Sequence, residues 1–114
     1  MTNPELAKDL AGDEALWRAW TERGVDESTV LTVDFTFYAS KESRARALVA
    51  ELEKRGYQVE ARSERTLFLF KGWVVEAHMT STWSLYRLQE STREHFALAQ
   101  RYGALYDGPG AEMP

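Results

Sequence analysis

The segment from residue 30 to 39 constrains the fold of this chain most strongly, because apolar and polar side chains alternate along it without a break. An extended strand places successive side chains on opposite sides. The two resulting sets are Leu31, Val33, Phe35 and Phe37 on one side, and Thr32, Asp34, Thr36 and Tyr38 on the other. The sequence therefore predicts a sheet with one buried face and one polar face.

Two further segments alternate in the same way and predict a second strand from Tyr57 and a third from Trp73 to Thr80. The short apolar run at 67–70 either extends the second strand or forms a small strand of its own. Lys71 and Gly72 follow this run and predict a turn before the third strand.

The first predicted helix covers residues 4–23. Asn3 is a favourable cap, and Pro4 suits the first helical position. Gly12 followed by Asp13 is a possible break, since glycine weakens a helix and aspartate can cap a new one. The leading segment is therefore either one helix or two short ones.

Two more helices are expected further along. Ser40 is predicted to cap a helix that runs to about Arg55, and Ser84 is a possible cap for the last helix. The last helix runs into Gly103, a residue that can take the left-handed conformation that ends helices. A very short apolar run at 105–106 then predicts a final strand.

The predicted order is a leading helix followed by strand, helix, strand, strand, helix and strand. This order predicts an α+β fold of the ferredoxin-like split βαβ type (βαββαβ), with both core helices on one face of an antiparallel sheet. The first and third strands are expected to be central neighbours. We expect a single domain over 1–114, with an N-terminal helical segment at 1–24 and a ferredoxin-like core at 30–110.

Composition excludes several classes of site. The chain has no cysteine, which excludes disulfides, thiolate metal sites and cysteine nucleophiles. No run approaches the roughly 18 apolar residues of a membrane span, and the first residues lack the layout of a signal peptide. A cytoplasmic protein without a membrane partner is the expectation.

The net charge of −4 argues against sequence-independent binding of nucleic acid, which requires several phosphates to be neutralised. Basic residues do gather in the middle of the chain, but acidic residues are interleaved with them. The two sets are Lys54, Arg55, Arg62, Arg65 and Lys71, and Glu51, Glu53, Glu60 and Glu64. We interpret this stretch as a mixed, solvated surface.

The end of the chain carries the most specific pattern. After Gly103 and the short apolar run comes Tyr106-Asp107-Gly108-Pro109-Gly110, which predicts a turn, since glycines adopt backbone conformations that other residues resist. Asp107 is a candidate cap of this turn. Tyr106 and Asp107 either serve a partner or simply complete the fold.

The closing Tyr-Asp-Gly-x-Gly pattern, the Gly-Tyr-Gln-Val junction at 56–59, Trp73 and the element order together resemble the regulator of ribonuclease activity B family, protein inhibitors of ribonuclease E. The resemblance covers most of the chain. It implies a protein–protein regulator without chemistry of its own, which binds the endonuclease and alters RNA cleavage. Pro109 stands where the family usually has an aromatic residue.

Members of that family also carry a long acidic tail after the closing turn, whereas this sequence has four residues after Gly110. We expect any contact made by such a tail to be missing here. The resemblance therefore supports the fold more directly than the target.

Asp34 and His78 lie mid-strand on predicted neighbours and are candidates for a cross-strand pair. Such a pair is either an acid/base or small-ligand site, or one hydrogen bond on a polar sheet face that the leading helix partly covers. No Gly-x-Ser-x-Gly nucleophile pattern accompanies it. His78 and His95 have no metal-ligand spacing, so we expect no metal and no cofactor, and we interpret His95 as a buried structural residue.

Aromatic residues supply the remaining candidates for partner binding. Trp83, between a strand and a helix, is either an interface anchor or a packing residue at the helix start. Phe68 and Phe70 are candidates for pairing with a partner or a second copy if their run is an edge strand. A homodimeric module therefore stays open as an alternative. Trp17 and Trp20 are expected to cover the core rather than form an exposed stripe.

Overall fold

The computed structural model describes residues 3–66 and 70–112 as an α+β fold with three helices and a four-stranded antiparallel sheet. The helices are α1 (Pro4–Glu22), α2 (Glu42–Lys54) and α3 (Leu85–Tyr102). The strands are β1 (Val30–Ala39), β2 (Gln58–Thr66), β3 (Phe70–Thr82) and β4 (Leu105–Ala111). The order of elements predicted from the sequence is confirmed.

The strands lie in the order β2-β3-β1-β4, and every neighbouring pair is antiparallel. The predicted central position of β1 and β3 is thereby confirmed. Their register aligns Asp34 of β1 with His78 of β3. The strands β2 and β4 form the two edges of the sheet.

One side of the sheet forms the core. Val33, Phe35 and Phe37 of β1 have no exposed surface, because their side chains all point toward the helices. Leu48 of α2 and Leu88 of α3 belong to the same buried cluster. The alternation in β1 therefore places its apolar half against α2 and α3, as predicted.

Helix α1 packs against α3 and β4 and contributes Trp20, which is 3% exposed, to the same core. The side-chain amide of Gln89 in α3 donates to the Leu10 carbonyl at 3.2 Å. The predicted cover of the polar sheet face by this helix is wrong, since α1 lies on the side that α2 and α3 occupy. Trp17 contacts Trp20 edge to face.

Helix α1 is continuous, so the possible break at Gly12 is wrong. Asp13 caps no second helix and is instead buried in the contact with α3, at 1% exposed. A glycine within a helix costs roughly 1 kcal/mol relative to alanine. Packing of Leu16, Trp17 and Trp20 in the second half of α1, and the hydrogen bond to the Leu10 carbonyl in the first, offset that cost.

Three of the predicted helix ends are confirmed and one is wrong. The Asn3 side chain accepts from two backbone amides of α1, the Ser84 hydroxyl accepts from the Arg87 amide, and Gly103 ends α3 with a φ of 66°. Ser40 does not cap α2. That helix has Lys41 at its cap position, with no side-chain hydrogen bond.

The closing segment is a strand rather than a turn. β4 pairs with β1 over its length, but the register shifts between Phe35, which faces Pro109, and Phe37, which faces Tyr106. One extra residue on β4 makes this a β-bulge, and Gly108 within it has a φ of +92°. Such a conformation suits glycine, as predicted for Gly108. Pairing with β1 keeps the segment extended.

The predicted turn at Lys71 and Gly72 is also wrong, because both residues lie inside β3 and pair with Arg65 and Glu64 of β2. Of the apolar run at 67–70, residues 67–69 lie outside the described part of the chain. None of the described helices combines the length and the apolar character needed to cross a membrane.

Candidate functional site

The side of the sheet that faces away from the helices is polar and is called the open face below. Cross-strand register decides which side chains share it, since directly paired residues point the same way. Its members include Thr32, Asp34, Thr36 and Tyr38 of β1, Val74, Glu76, His78 and Thr80 of β3, Gln58, Glu60, Arg62 and Glu64 of β2, and Leu105 and Asp107 of β4.

The predicted pairing of Asp34 with His78 is confirmed at the centre of the open face. His78 Nδ1 lies 2.5 Å from Asp34 Oδ1, a hydrogen bond between side chains that are partly exposed. The carboxylate fixes the orientation of the imidazole and leaves Nε2 pointing toward Glu60 Oε2 at 3.8 Å. The pair can act chemically as an oriented imidazole whose second nitrogen faces Glu60.

Further hydrogen bonds join the strands across this face. Arg62 donates to Glu76 Oε1 at 3.1 Å. The hydroxyl of Tyr38 donates to Asp107 Oδ2 at 3.4 Å, and partial burial together with that carboxylate raises the pKa of Tyr38. The open face is therefore a network of charged and polar side chains rather than a bare polar surface.

A groove of about 330 Å³ runs along the open face beside the bulge in β4. Its lining includes the carboxylates of Asp34, Glu76 and Asp107, together with Glu112. His78 is not among the residues that line it. The geometry therefore places Asp34 at the edge of an acidic groove, with the imidazole to one side.

Glu60, Glu76 and His78 bring one ligand atom each to within 4.8 Å of one another. A guanidinium already neutralises one member of this group, because Arg62 is hydrogen-bonded to Glu76. The arrangement fits an ion-pair network, and the expectation of no metal stays a prediction.

Trp83 lies in the core, at 3% exposed, and its indole Nε1 donates to the Leu31 carbonyl at 3.0 Å. The ring packs near Phe35, with the Arg87 guanidinium over it at 5.0 Å. Of the two roles considered for Trp83, the structure supports packing at the helix start. Almost none of its surface is available to a partner.

The other aromatic candidates are Phe68 and Phe70. Phe68 lies outside the described residues. Phe70 is the first residue of β3 and pairs in register with Thr66 of β2. The strand β3 lies between β2 and β1, so Phe70 does not meet the condition of that hypothesis, which is an edge strand.

Tyr106 and Asp107 point to opposite sides of β4. The Tyr106 ring packs against Phe37 and His95, at 5.2 and 5.6 Å between ring centroids, so it contributes to the core. Asp107 caps no turn and faces Tyr38 across the sheet. Both residues also line a cleft of about 500 Å³ between α1, α3 and β4, which includes Asp9 and Phe96.

His95 is buried at 1% exposed, as expected for a structural histidine. It sits among aromatic rings, the nearest being Phe35 at 4.4 Å between centroids. Burial and the nearby Arg55 lower its pKa to about 3, so the ring is neutral at physiological pH. Neither ring nitrogen has a hydrogen bond to a described residue.

A second buried titratable group lies where α1 meets α3. Burial raises the pKa of Asp13 to about 6, with Asp9 adding to the effect and the Thr92 hydroxyl and Arg93 opposing it. No hydrogen bond of good geometry joins its carboxylate to the described residues. Burial also raises the pKa of Tyr106, whose hydroxyl is likewise unpaired within the described part of the chain.

Sequence reasoning missed the acidic character of the open face. Glu60, Arg62 and Glu64 were assigned to a mixed surface, although the alternation of β2 places all three on one side. That alternation was a usable signal. The hydrogen bond between Arg62 and Glu76 could not be predicted from the sequence, because it depends on the register between β2 and β3.

Comparison with known families gives one finding. The family model described as regulator of ribonuclease activity B matches residues 11–110, which include most of α1 and nearly all of the sheet. A comparison with curated proteins gives no match to the chain.

Proposed function

Because the chain belongs to the regulator of ribonuclease activity B family, we propose that it binds a ribonuclease E-like endonuclease and changes the cleavage of RNA without a reaction of its own. The observation that carries this proposal is the match over residues 11–110, which spans the sheet and its helices. The strand order β2-β3-β1-β4, with β3 between β1 and β2, supports reading the core as a ferredoxin-like split βαβ fold.

Two surfaces support a role in protein binding. The open face offers charged groups over three strands, and the cleft beside β4 offers Tyr106 and Asp107 together with apolar neighbours. Phe68 and Phe70 stay proposed contacts of a partner, although Phe70 lies on a central strand and would contact it without strand pairing. Trp83 is left out of the proposed contact set, because its surface is used by the core.

A cleavage assay tests the proposal. The purified chain is added to the ribonuclease E-like endonuclease of the same organism, and cleavage of a fluorescent single-stranded RNA is followed over a range of chain concentrations. We expect the rate to change and to saturate, with co-elution of both proteins on sizing. An unrelated ribonuclease serves as control. Unchanged cleavage together with separate elution would contradict the proposal.

The hydrogen bond between Asp34 and His78 favours a second candidate function, a small-ligand site or an enzyme on the open face. An oriented imidazole beside an acidic groove can bind a cationic ligand or transfer a proton. The double variant Asp34→Asn, His78→Gln separates the candidates. Loss of a ligand or an activity with retained ribonuclease binding would favour the second one.

A further inference from the structure

We propose that the open face is the surface on which the protein partner docks, and that the partner presents a lysine- and arginine-rich surface to it. This inference deepens the proposed function and rests on it. It names the face that makes the contact and the chemistry of the opposing surface.

The first argument is that the open face has no cover within the described chain. All three helices lie on the other side, where α1 packs against α3 and β4, and where α2 and α3 pack on the core. A four-stranded sheet with one side uncovered presents a broad surface made of rigid elements. Such a surface can bind a partner without reorganising the backbone.

The second argument is the distribution of charge. Six carboxylates lie on this face or along its groove, and Arg62 is the one lysine or arginine among the described residues that share it. The six are Asp34, Glu60, Glu64, Glu76, Asp107 and Glu112. The chain has 18 acidic and 14 basic residues, so the remainder of the molecule is almost balanced. The negative charge of the protein is therefore concentrated on one side.

The third argument is the arrangement within the face. Its centre is the hydrogen-bonded pair of Asp34 and His78. Val74, which pairs with Tyr38 toward one end of β1, is 3% exposed and offers a partner almost no apolar surface. The accessible groups include carboxylates such as that of Glu60, which is 75% exposed at the β2 side. Guanidinium and ammonium groups are the partners that carboxylates bind most strongly.

The same charge disfavours two other occupants. A nucleic acid would bring phosphates toward six carboxylates, whereas binding to nucleic acid depends on neutralising phosphates. A second copy docked face to face would oppose two sets of like charges, which is destabilising at an interface. A basic protein surface is the occupant that the charge favours.

Two double variants with the same change in net charge test the proposal. Glu60→Lys with Glu64→Lys reverses charge on the open face. Glu14→Lys with Glu53→Lys reverses it at exposed helix positions on the other side. The dissociation constant for the purified ribonuclease E-like endonuclease of the same organism is measured at several salt concentrations, after circular dichroism has shown that each variant is folded.

We expect the open-face variant to bind about tenfold more weakly or worse, and the helix variant to stay within about twofold of the original chain. Binding by the original chain should weaken steeply with salt, and that dependence should flatten in the open-face variant. If the lysine variant does not fold, Glu60→Gln with Glu64→Gln takes its place, with a smaller loss expected.

Equal losses in both variants, or no loss in either, would overturn the inference while leaving the proposed function standing. If the original chain leaves the endonuclease unbound, the proposed function fails and the inference fails with it. Two further readouts cover the other occupants. Tighter binding to a single-stranded RNA than to the endonuclease, or a dimer that only the open-face variant dissociates, would also overturn the inference.

Discussion

Polar side chains differ in exposure and in hydrogen bonding between the two faces of the sheet. On the open face, polar groups are at least partly exposed and paired, as Asp34 is with His78 and Arg62 with Glu76. On the helix side, Asp13 and His95 are almost completely buried, and their polar atoms have no hydrogen bond of good geometry within the described chain. Among the described residues, these polar side chains are thus paired on the open face and buried without a hydrogen-bond partner on the helix side.

This difference shows where the stability of the fold resides. An exposed pair contributes little to stability, because water solvates both partners almost as well in the unfolded chain. A buried polar group without a partner carries a penalty that its surroundings must offset. Substitutions on the open face should therefore cost little stability, while the helix side determines whether the chain folds.

The largest expected difference in unfolding free energy between the two faces concerns two neighbouring residues of β1. Phe35→Ala should lower the free energy of unfolding by about 3–5 kcal/mol, because the ring is fully buried against Trp83 and His95. Thr36→Ala, one residue along on the open face, should cost less than about 1 kcal/mol. Urea denaturation measures both, and similar losses would remove the distinction between the faces.

The pH dependence of stability tests the buried imidazole. Because the pKa of His95 is about 3 when folded and near 6.5 when unfolded, its contribution is fully present above pH 6.5 and is lost as pH falls. Between pH 6.5 and 5 the loss is about 2 kcal/mol. His95→Phe should remove it, as measured by urea denaturation at each pH.

Asp13 acts in the opposite direction over part of this range, so the comparison is made between the original chain and His95→Phe rather than on the original chain alone. The difference in unfolding free energy between the two proteins should change by about 2 kcal/mol from pH 6.5 to 5. A constant difference would mean that folding leaves the pKa of His95 unchanged.

The original chain should lose about 2 kcal/mol of stability between pH 4.5 and pH 7.5 through Asp13, and Asp13→Asn should remove that loss. The folded-state pKa of Asp13 is raised to about 6 from 3.8, so its contribution is present below 3.8 and is lost as pH rises through 6. Thermal melting at the two pH values measures the change. Glu14→Gln, one residue along and exposed, is the matched control and should remove almost none of the loss.

The smallest effect is expected on the open face. In a double-mutant cycle of Asp34→Asn and His78→Gln at pH 7.5, the coupling free energy should be below about 1 kcal/mol, because both side chains are partly exposed. A coupling of several kcal/mol would mean that this pair supports the fold, and the division of roles between the two faces would then not hold.

Local signals in the sequence predicted much of the fold. Strict alternation gave the bounds of β1, and Asn3, Ser84 and Gly103 marked helix ends because capping depends on a few adjacent residues. The segment around Gly108 was misread because glycines and a proline suggest a turn, whereas pairing with β1 holds it extended. Because β1 lies far away along the chain, the sequence of the segment itself does not indicate this pairing.

The candidate site shows the same limit. Asp34 and His78 were predictable because both strands had clear alternation and a predicted place in the sheet. The concentration of carboxylates was not recognised, since it needs the sides of β2 and β3 to be combined through their register. Trp83 was ambiguous because its hydrogen bond to the Leu31 carbonyl depends on how the end of β3 meets the start of β1.

The strand order also determines when the sheet can form. β1 is the first strand to be synthesised, yet its neighbours in the sheet are β3 and β4, the last two. Until Leu105–Ala111 has left the ribosome, one edge of β1 has no native partner, and contacts so distant along the chain form slowly. A nascent chain halted before β4 would present β1 as an open edge, the kind of segment that pairs with other chains.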